Sequence, residues 1–465
     1  MEMGVGGRIG RYRGRVLGEE SLVKLLLWLA APMVITASVN VLYEVADTFW
    51  LSRLGEAALA VPSVAWPYRG LAFSLCFGLA SGLSALVGQF VGAGDFESAR
   101  RSIGTVASVV LGVAVAVSLL LIAATPVYMR VMGVPPSVAV AALGYTEVTV
   151  ATVPFAALYL LFNFSLSAAG DTRTPTFVGA AAAVLNAVLD PVFMFLLGFG
   201  VLGAAYATLA ASMFSGGYSV YSFATGRHGV RLSLPDLVPD RGLLRSALHV
   251  SLPVTAQMLG MTSGFAVMVG VVSGLGAPVI AAYSIGQVML GIDRVFALPL
   301  TRATGIVVGQ SLGAGLRDRA RRAAFTGLAL VTGLAAVYIG VLMVFSRQFV
   351  SVFARSPDVV GPALRMLYLF GPSILAFHVF MLSNSVARSS GHTFFVSAAG
   401  LARLWLLRIP LSWLLAYRLG LGDTGLWLGM AASNYATGAA CALWLVRGGW
   451  LCPVIRRPYT YGSPG

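Results

Sequence analysis

Two acidic residues lie within long apolar stretches, and their side chains are the ones in this chain most able to do chemistry. Asp47 lies in NVLYEVADTFWLSRL and Asp190 lies in LNAVLDPVFMF. Placing a charge near the middle of a bilayer costs about 2.5–3.5 kcal/mol, so such residues usually face a protein interior or a water-filled cavity. Two carboxylates that meet there repel each other, and a bound proton or Na⁺ relieves the repulsion. The pair predicts a site that couples cation entry to a change of shape, with a purely structural polar pair as the alternative.

Other polar side chains accompany Asp47 in the first stretch. Asn40, Tyr43 and Asp47 stand at positions i, i+3 and i+7, so they share one face of a helix. Glu44 precedes Asp47 by three residues, close enough to interact but offset around the helix. One face of this segment is therefore predicted to be polar.

The stretch around Asp190 carries polar oxygens and a proline. Asn186 precedes Asp190 by one helical turn, and Pro191 follows it directly. Because proline removes a backbone donor and clashes with the preceding turn, it would leave a carbonyl free for an ion, water or proton. Thr208, in GVLGAAYAT, adds a hydroxyl if its helix is adjacent. The oxygens of these residues, together with Asp47, could ligate Na⁺ or order the water around a proton.

The second half of the chain offers a different set of candidates. Asp293 is followed directly by Arg294, which predicts an internal ion pair of Asp293 with a nearby arginine, with substrate contact as the alternative. Met258 and Met261 lie in a segment rich in methionine and aromatic residues, which would suit varied apolar ligands. Ordinary packing is the alternative for these methionines. The three cysteines and four histidines form no metal-ligand spacing, so no metal other than Na⁺ is expected.

The elements that must position these residues are membrane-spanning helices. Hydrophobic residues make up 58% of the 465 residues and charged residues only 10%, against about 25% charged in soluble domains. Apolar runs long enough to cross a hydrocarbon core of about 30 Å recur throughout, and they do not alternate as barrel strands do. The sequence predicts an all-α membrane protein with twelve transmembrane helices, at 22–48, 63–90, 103–125, 138–164, 175–197, 201–224, 248–272, 279–308, 323–345, 362–386, 394–418 and 424–446.

The formal net charge of +14 is read as an orientation signal. Of the 31 basic residues, 20 fall on the side of the amino terminus, and seven, Arg69 among them, fall in the loops and helix ends of the other side. This bias fits the positive-inside rule in a cytoplasmic membrane with both termini cytoplasmic. The lipid bilayer is therefore an expected partner, and nucleic acid is not.

An internal repeat organises the chain. GQFVGAGDFESARR, at 88–101, recurs as GQSLGAGLRDRARR 221 residues later, and the same offset pairs Pro32 with Pro253 and Asn163 with Asn384. Six helices in each half make the repeats parallel, related by a pseudo-two-fold axis near the membrane normal. Each GQxxGAG turn is predicted to be a structural anchor whose arginines meet headgroups or loop carboxylates such as Asp95.

The repeat and the polar segments define the domains. They are a basic amino-terminal arm at 1–21, a six-helix lobe at 22–225, a cytoplasmic linker at 226–247, a second six-helix lobe at 248–446 and a cytoplasmic tail at 447–465. At the 221-residue offset Asp47 corresponds to Met268 and Asp190 to Leu411. The acidic site is therefore predicted to belong to the first lobe alone.

Over roughly residues 20–450 the chain resembles the multidrug and toxic compound extrusion (MATE) family of secondary transporters. The resemblance rests on ADTFWLSRLGEAALA, VGQFVGAG, SAAGDTRTP, NAVLDP and GVLGAAYAT. It implies two six-helix lobes, a central cleft that opens alternately to each face, and export driven by H⁺ or Na⁺. Carried onto this sequence, it implies a cation site of Asp47, Asn186, Asp190 and Thr208, a helix-bending proline at Pro32, and the neighbours Tyr43, Tyr145 and Asn163.

The predicted seventh and tenth helices, 248–272 and 362–386, contain no Asp or Glu. In this respect the chain resembles the DNA-damage-inducible prokaryotic branch, with coupling through the first lobe. Glu44 departs from the family pattern, and it would either join the site or pair with an arginine.

The expected function is secondary antiport. A monomer would export amphipathic or cationic drugs or metabolites in exchange for H⁺ or Na⁺, with no other cofactor. A flippase for lipids or lipid-linked precursors is the alternative within the same architecture, and it would gain weight if Arg294, Arg302, Arg403 and Arg408 lined the cleft together. An enzyme is not expected, because neither Asp47 nor Asp190 lies in a GxGD or DDxxD motif and no nucleophile accompanies them.

Overall fold

A computed structural model describes residues 6–133 and 136–455. Within those ranges every regular element is helical, with short 3₁₀ and π segments between the α-helices. A bilayer cannot hydrogen-bond a bare backbone, so long apolar runs fold as helices. Helices cover each of the twelve predicted segments, and the predicted segment 279–308 is interrupted just before Arg294.

The chain divides into two compact units. Residues 31–255, together with 6–19 and 455, form the first unit, and 20–30 with 256–454 form the second. Helices of the first half are α1 (Gly6–Leu17), α2 (Leu22–Ser52), α3 (Glu56–Ser81), α4 (Leu83–Ala93), α5 (Phe96–Val131), α6 (Pro136–Ala151), α7 (Val153–Ala168), α8 (Arg173–Pro191), a π segment (Val192–Leu196) and α9 (Val201–Thr225).

A short 3₁₀ segment, Leu234–Leu237, precedes the second half. Its helices are α10 (Arg241–Ser273), α11 (Ala277–Gly291), α12 (Arg294–Gly313), α13 (Arg317–Val344), α14 (Ser346–Phe353), α15 (Pro357–Phe370), α16 (Ile374–Ser390), α17 (Thr393–Ala402), a π segment (Arg403–Arg408), α18 (Ile409–Trp413), a π segment (Leu414–Arg418) and α19 (Gly422–Arg447). Short 3₁₀ turns at Gly371–Ser373 and Gly449–Leu451 complete it.

Among the described residues, ten helical segments are long and apolar enough to cross a membrane. The last helix of each half, α9 and α19, is not one of them, although each has at least 25 residues. Both helices are rich in glycine, alanine and serine. These small residues lower the hydropathy and let neighbouring backbones approach closely.

The close approach has the same form in both units. A Cβ added to Gly203 of α9 would lie 2.6 Å from the backbone nitrogen of Met194, and one added to Gly425 of α19 would lie 2.6 Å from the carbonyl carbon of Leu415. Met194 and Leu415 both belong to π segments. Each unit therefore packs its last helix, backbone against backbone, on the π segment that precedes it.

A different contact, unlike that of Gly203 and Gly425, recurs at the 221-residue offset. A Cβ on Gly179 would lie 2.3 Å from Tyr159 Oη, and one on Gly400 would lie 2.9 Å from Phe380 Cζ. Each residue of the first pair is 221 residues before its counterpart in the second. The spacing read from the sequence thus corresponds to equivalent packing positions.

The first GQxxGAG turn ends α4 and starts α5. Gly94 has a φ of +83°, which closes α4 in the left-handed conformation that favours glycine. Asp95 accepts a hydrogen bond from the Ser98 backbone nitrogen at 2.9 Å and so caps α5. The arginines of this turn contact carboxylates, as one of the two predicted alternatives has it, but these carboxylates are Glu97 and Asp236 and not Asp95.

The segment between the two halves is attached to the first unit. Helix α10 begins at residue 241, inside the predicted linker 226–247. Asp236 accepts hydrogen bonds of 2.7 Å from both the backbone nitrogen and the hydroxyl of Ser233, and it forms an ion pair with Arg100 of α5. His228 is buried, with Nε2 3.0 Å from the Tyr218 hydroxyl of α9.

The amino-terminal arm is also attached to this unit. Arg13 of α1 donates to the Gly92 carbonyl oxygen through Nε and Nη2, at 3.1 and 3.0 Å. Arg8 lies 3.6 Å from the Asp171 carboxylate. The predicted basic arm is therefore a docked helix over its described residues.

Candidate functional site

Four helices of the first unit bring together most of the predicted cation site. The residues are Asp47 and Tyr43 on α2, Tyr145 on α6, Asn186 and Asp190 on α8, and Thr208 on α9. Asp190 is 0% exposed and Asn186 is buried, whereas Asp47 is half-buried. The Asp190 carboxylate is thus more deeply buried in the first unit than the Asp47 carboxylate.

Asn186 connects Asp190 to α9. Its carboxamide lies 3.2 Å from the Thr208 hydroxyl. With the amide oriented to satisfy its neighbours, its nitrogen donates to both Asp190 carboxylate oxygens at 3.1 Å, and its oxygen accepts from the Thr208 backbone nitrogen at 3.1 Å. The Thr208 hydroxyl donates to the Ala204 carbonyl oxygen at 2.9 Å. Asp190 is therefore held in a fixed position between α8 and α9.

Asp47 faces the same interior from α2. It lies close enough to Asp190 for the two carboxylates to interact electrostatically. Both carboxylates also interact electrostatically with the hydroxyls of Tyr43 and Tyr145. The two tyrosines thus line the space between the acids.

Arg69 of α3 is a member of this cluster that the sequence analysis assigned to an outer loop or helix end. It interacts electrostatically with Tyr43 and Tyr145, and its Nε is buried without a hydrogen-bond partner. An arginine within the predicted span 63–90 was the available signal. Within the described part of the chain, Arg69 forms no salt bridge with Asp47 or Asp190.

Other predicted neighbours lie outside the cluster. Glu44 and Asn40 are exposed on α2, and no described arginine pairs with Glu44. The carboxamide of Asn163 lies 3.5 Å from the Tyr159 hydroxyl, which donates to the carbonyl oxygen of Pro175. Pro32 lies inside α2, two turns before Asn40, where its ring interrupts the backbone hydrogen bonds.

The cluster has the chemistry of a cation site. Carboxylate, amide and hydroxyl oxygens are hard donors that suit small cations such as Na⁺, and a carboxylate can equally take a proton. Burying two carboxylates away from water costs free energy unless their charge is compensated. Asp47, Asn186, Asp190 and Thr208 are therefore able to hold one H⁺ or Na⁺.

The predicted residues of the second half are arranged differently from the prediction. The Asp293 carboxylate lies 2.7 Å from Nε2 of His378 and not against an arginine, because α12 begins beside α16. Arg294 is exposed but lines a cavity of the second unit together with Asp293. Met258 and Met261 are half-buried on α10, and neither lines that cavity.

Of the four arginines considered for a flippase, some line the cavity of the second unit and one does not. Arg403 and Arg408 line the cavity of the second unit with Arg294, whereas Arg302 does not. Three of the four are thus brought together, inside one unit.

Comparisons with known proteins identify the family to which the sequence is similar. The profile of the MatE family matches twice, over residues 32–192 and 253–414. The chain is 26% identical to the probable multidrug resistance protein YoeA of Bacillus subtilis, a match that covers 82% of this chain and 84% of that protein. It is 26% identical to the probable multidrug resistance protein NorM of Bradyrhizobium diazoefficiens, covering 88% and 90%.

A solved structure has the same fold. The crystal structure of MATE in the straight conformation superposes with a TM-score of 0.88 at 24% identity, and it covers 95% of this chain and 99% of that one. The two segments matched by the family profile begin 221 residues apart, at the offset of the sequence repeat.

Proposed function

This chain belongs to the MatE family of multidrug efflux transporters, and we propose that it is a secondary antiporter that exports amphipathic or cationic small molecules in exchange for H⁺ or Na⁺. The observation that carries the proposal is the Asp47–Asp190 pair. These carboxylates come from different helices, interact with each other and form no salt bridge with a described residue. Relatives named as multidrug resistance proteins favour this function over the flippase alternative.

The unequal anchoring of the two acids supplies a mechanism. Asp190 is held by Asn186, whereas no described residue hydrogen-bonds the Asp47 carboxylate. A cation that binds between them cancels their repulsion and draws α2 toward α8. Because Pro32 removes a backbone hydrogen bond from α2, that helix can bend or repack at low cost. Release of the cation restores the repulsion and reverses the movement.

The proposed architecture is that of twelve transmembrane helices in two six-helix lobes, with α9 and α19 spanning as well. Recurrence of the Gly179–Tyr159 packing at Gly400–Phe380 supports a parallel repeat. The distribution of arginines supports insertion in the cytoplasmic membrane with both termini cytoplasmic. Acid-free segments 248–272 and 362–386 support the DNA-damage-inducible branch, and the transporter would act as a monomer without a cofactor.

The test is efflux from proteoliposomes under one imposed gradient at a time. Wild-type protein should expel ethidium, a flat aromatic cation, when either a pH gradient or a Na⁺ gradient is applied, and the effective gradient identifies the coupling ion. Asp47→Asn and Asp190→Asn should reduce efflux to the level of protein-free liposomes. Glu44→Gln is the matched control, because Glu44 lies on the same helix but is exposed, and it should retain efflux.

Melting temperatures of the variants separate loss of coupling from loss of folding. Asp47→Asn and Asp190→Asn should unfold at or above the wild-type temperature, because each relieves repulsion between buried acids. Full efflux by both variants would show that the pair does not couple transport.

A further inference from the structure

The second unit holds a cavity whose charge is opposite to that of the acidic pair. It has about 480 Å³ of open space, its mouth included, and its lining combines charged and polar side chains, Gln287 among them, with aromatic, aliphatic and methionine side chains. Its charged and polar side chains include Arg294, Arg403, Arg408, Asp293, His378 and Asn434. Three arginines thus face one carboxylate, and that carboxylate lies against His378 at 2.7 Å.

The two inner arginines have only neutral acceptors. Asn434 Oδ1 accepts from Arg403 Nη1 at 3.2 Å and from Arg408 Nη2 at 2.6 Å. Arg408 Nε donates to the Ser433 hydroxyl at 3.0 Å. Within the described residues neither guanidinium forms a salt bridge, although Arg403 is only 1% exposed and Arg408 only 4%. Buried guanidinium groups are normally paired, so this arrangement lacks a counter-ion.

Arg403 also keeps donors unused. Its Nε and Nη2 are buried and have no hydrogen-bond partner. A guanidinium carries five N–H donors in a rigid fork that matches the spacing of two oxygens on a carboxylate or phosphate. Nε and Nη2 form the edge of the fork that binds an oxyanion in bidentate geometry.

Aromatic rings hold the two arginines in position without neutralising them. Arg403 Cζ lies 4.8 Å from the ring centre of Phe377 and 5.4 Å from that of Phe380. Arg408 Cζ lies 5.4 Å from the ring centre of Phe370. Cation–π contacts stabilise a guanidinium but leave its edge donors free. The arginines also repel each other and Arg294, so an anion placed among them would relieve three like charges at once.

We propose that this cavity binds the carboxylate or phosphate group of an amphipathic small molecule. Arg403 and Arg408 contact the oxyanion, the exposed Arg294 attracts it at the mouth, and the apolar lining receives the rest of the molecule. The site lies wholly within the second unit and is separate from the Asp47–Asp190 pair. Its ligand is thus of opposite charge to the coupling cation.

The test measures binding to the full-length transporter in dodecyl maltoside, a detergent without an oxyanion. Phenyl phosphate should raise the melting temperature in a saturable manner, whereas benzyl alcohol, its uncharged analogue, should not. Arg403→Lys and Arg408→Lys keep the positive charge but lose the forked guanidinium. Each should therefore raise the Kd for phenyl phosphate by at least about tenfold. Arg418→Lys is the matched control, because Arg418 also lies over an aromatic ring in a π segment but is exposed.

A short-chain phosphatidylglycerol distinguishes the two sources of such an anion. If it stabilises the protein through Arg403 and Arg408 and phenyl phosphate does not displace it, the oxyanion is a lipid headgroup. If phenyl phosphate binds more tightly, the oxyanion belongs to a soluble ligand. Failure of both anions to stabilise the protein, or equal stabilisation of the lysine variants, would overturn the proposal.

Asp47→Asn and Asp190→Asn keep this test independent of cation coupling. Both variants should bind phenyl phosphate with the wild-type Kd, because neither residue lines the cavity. Should they instead prove fully active in efflux, the coupling proposal fails while the binding result stands.

Discussion

The two units of this transporter have similar close contacts between helices, but the charged residues at their sites are of opposite sign. In the first, Asp47 and Asp190 face an interior lined by Tyr43 and Tyr145. In the second, Arg403 and Arg408 face a cavity lined by phenylalanines and Asn434. Close contacts of glycine with neighbouring chain recur between the units, whereas the charged residues do not. The two units therefore have packing contacts in common and differ in the chemistry of their charged residues.

The charged residues of the two sites differ at every equivalent position of the repeat. At the 221-residue offset Asp190 corresponds to Leu411, Arg403 to Ala182 and Arg408 to Ala187. No charged residue of either site therefore has a charged counterpart. The first unit therefore concentrates acidic charge at its site and the second unit concentrates basic charge, with Arg69 and Asp293 as the single residue of opposite sign that the structure places at each site.

The largest expected difference between the units concerns Asn434. Asn434→Ala removes the shared acceptor of two buried guanidiniums and should lower the free energy of unfolding by about 3–5 kcal/mol. Its counterpart 221 residues earlier is the exposed Met213, and Met213→Ala should change stability by no more than about 0.5 kcal/mol. Denaturant unfolding in detergent, followed by tryptophan fluorescence, compares the two. Equal losses would mean that Asn434 has no special role in holding the arginines.

A smaller effect tests the packing contacts that the two units have in common. Gly203→Ala and Gly425→Ala each force a Cβ against backbone atoms 2.6 Å away. Each should therefore lower the free energy of unfolding by about 1–3 kcal/mol. Gly217→Ala is the control, because nothing lies within 4 Å of its added Cβ and alanine favours a helix. It should be neutral or stabilising in the same unfolding measurement. If only one of the two variants lowered the free energy of unfolding, the two units would not share this packing contact.

The smallest effect concerns pH and belongs to the first unit. Burial lowers the pKa of His228 below its usual 6.5, Arg8 and Arg227 lower it further, and Asp171 opposes them. The unfolded chain then binds a proton at higher pH than the folded one, so stability is full above pH 6.5 and falls as the pH drops below it. The wild-type melting temperature should therefore be lower at acidic pH than at neutral pH.

His228→Gln isolates this contribution. The amide keeps a polar contact with Tyr218 but cannot titrate, so the fall in melting temperature should be smaller than in the wild type. His249→Gln replaces an exposed histidine of the same unit and should leave the fall unchanged. If the two variants behave alike, His228 is not the group responsible.

Features set by local sequence could be predicted, and features set by how helices face each other could not. Apolar runs predicted the helical segments, and carboxylates within such runs marked Asp47 and Asp190 as candidates, whereas their placement in one site was implied by the family resemblance. Arg69 was assigned outside because a charge count does not show that α3 turns it toward Tyr43 and Tyr145. The contact of Asp293 with His378 joins residues 85 positions apart, and no spacing rule connects them.

The glycine contacts of α9 and α19 also bear on how the protein is made. A segment enters the bilayer from the translocon according to its own apolarity, and these two helices fall short of the ten spans that are apolar enough. Each fits closely onto the π segment just synthesised before it. If α9 and α19 span the bilayer as proposed, each should enter the lipid together with the helix before it as a hairpin, so that a pair of helices and not a single helix completes each half.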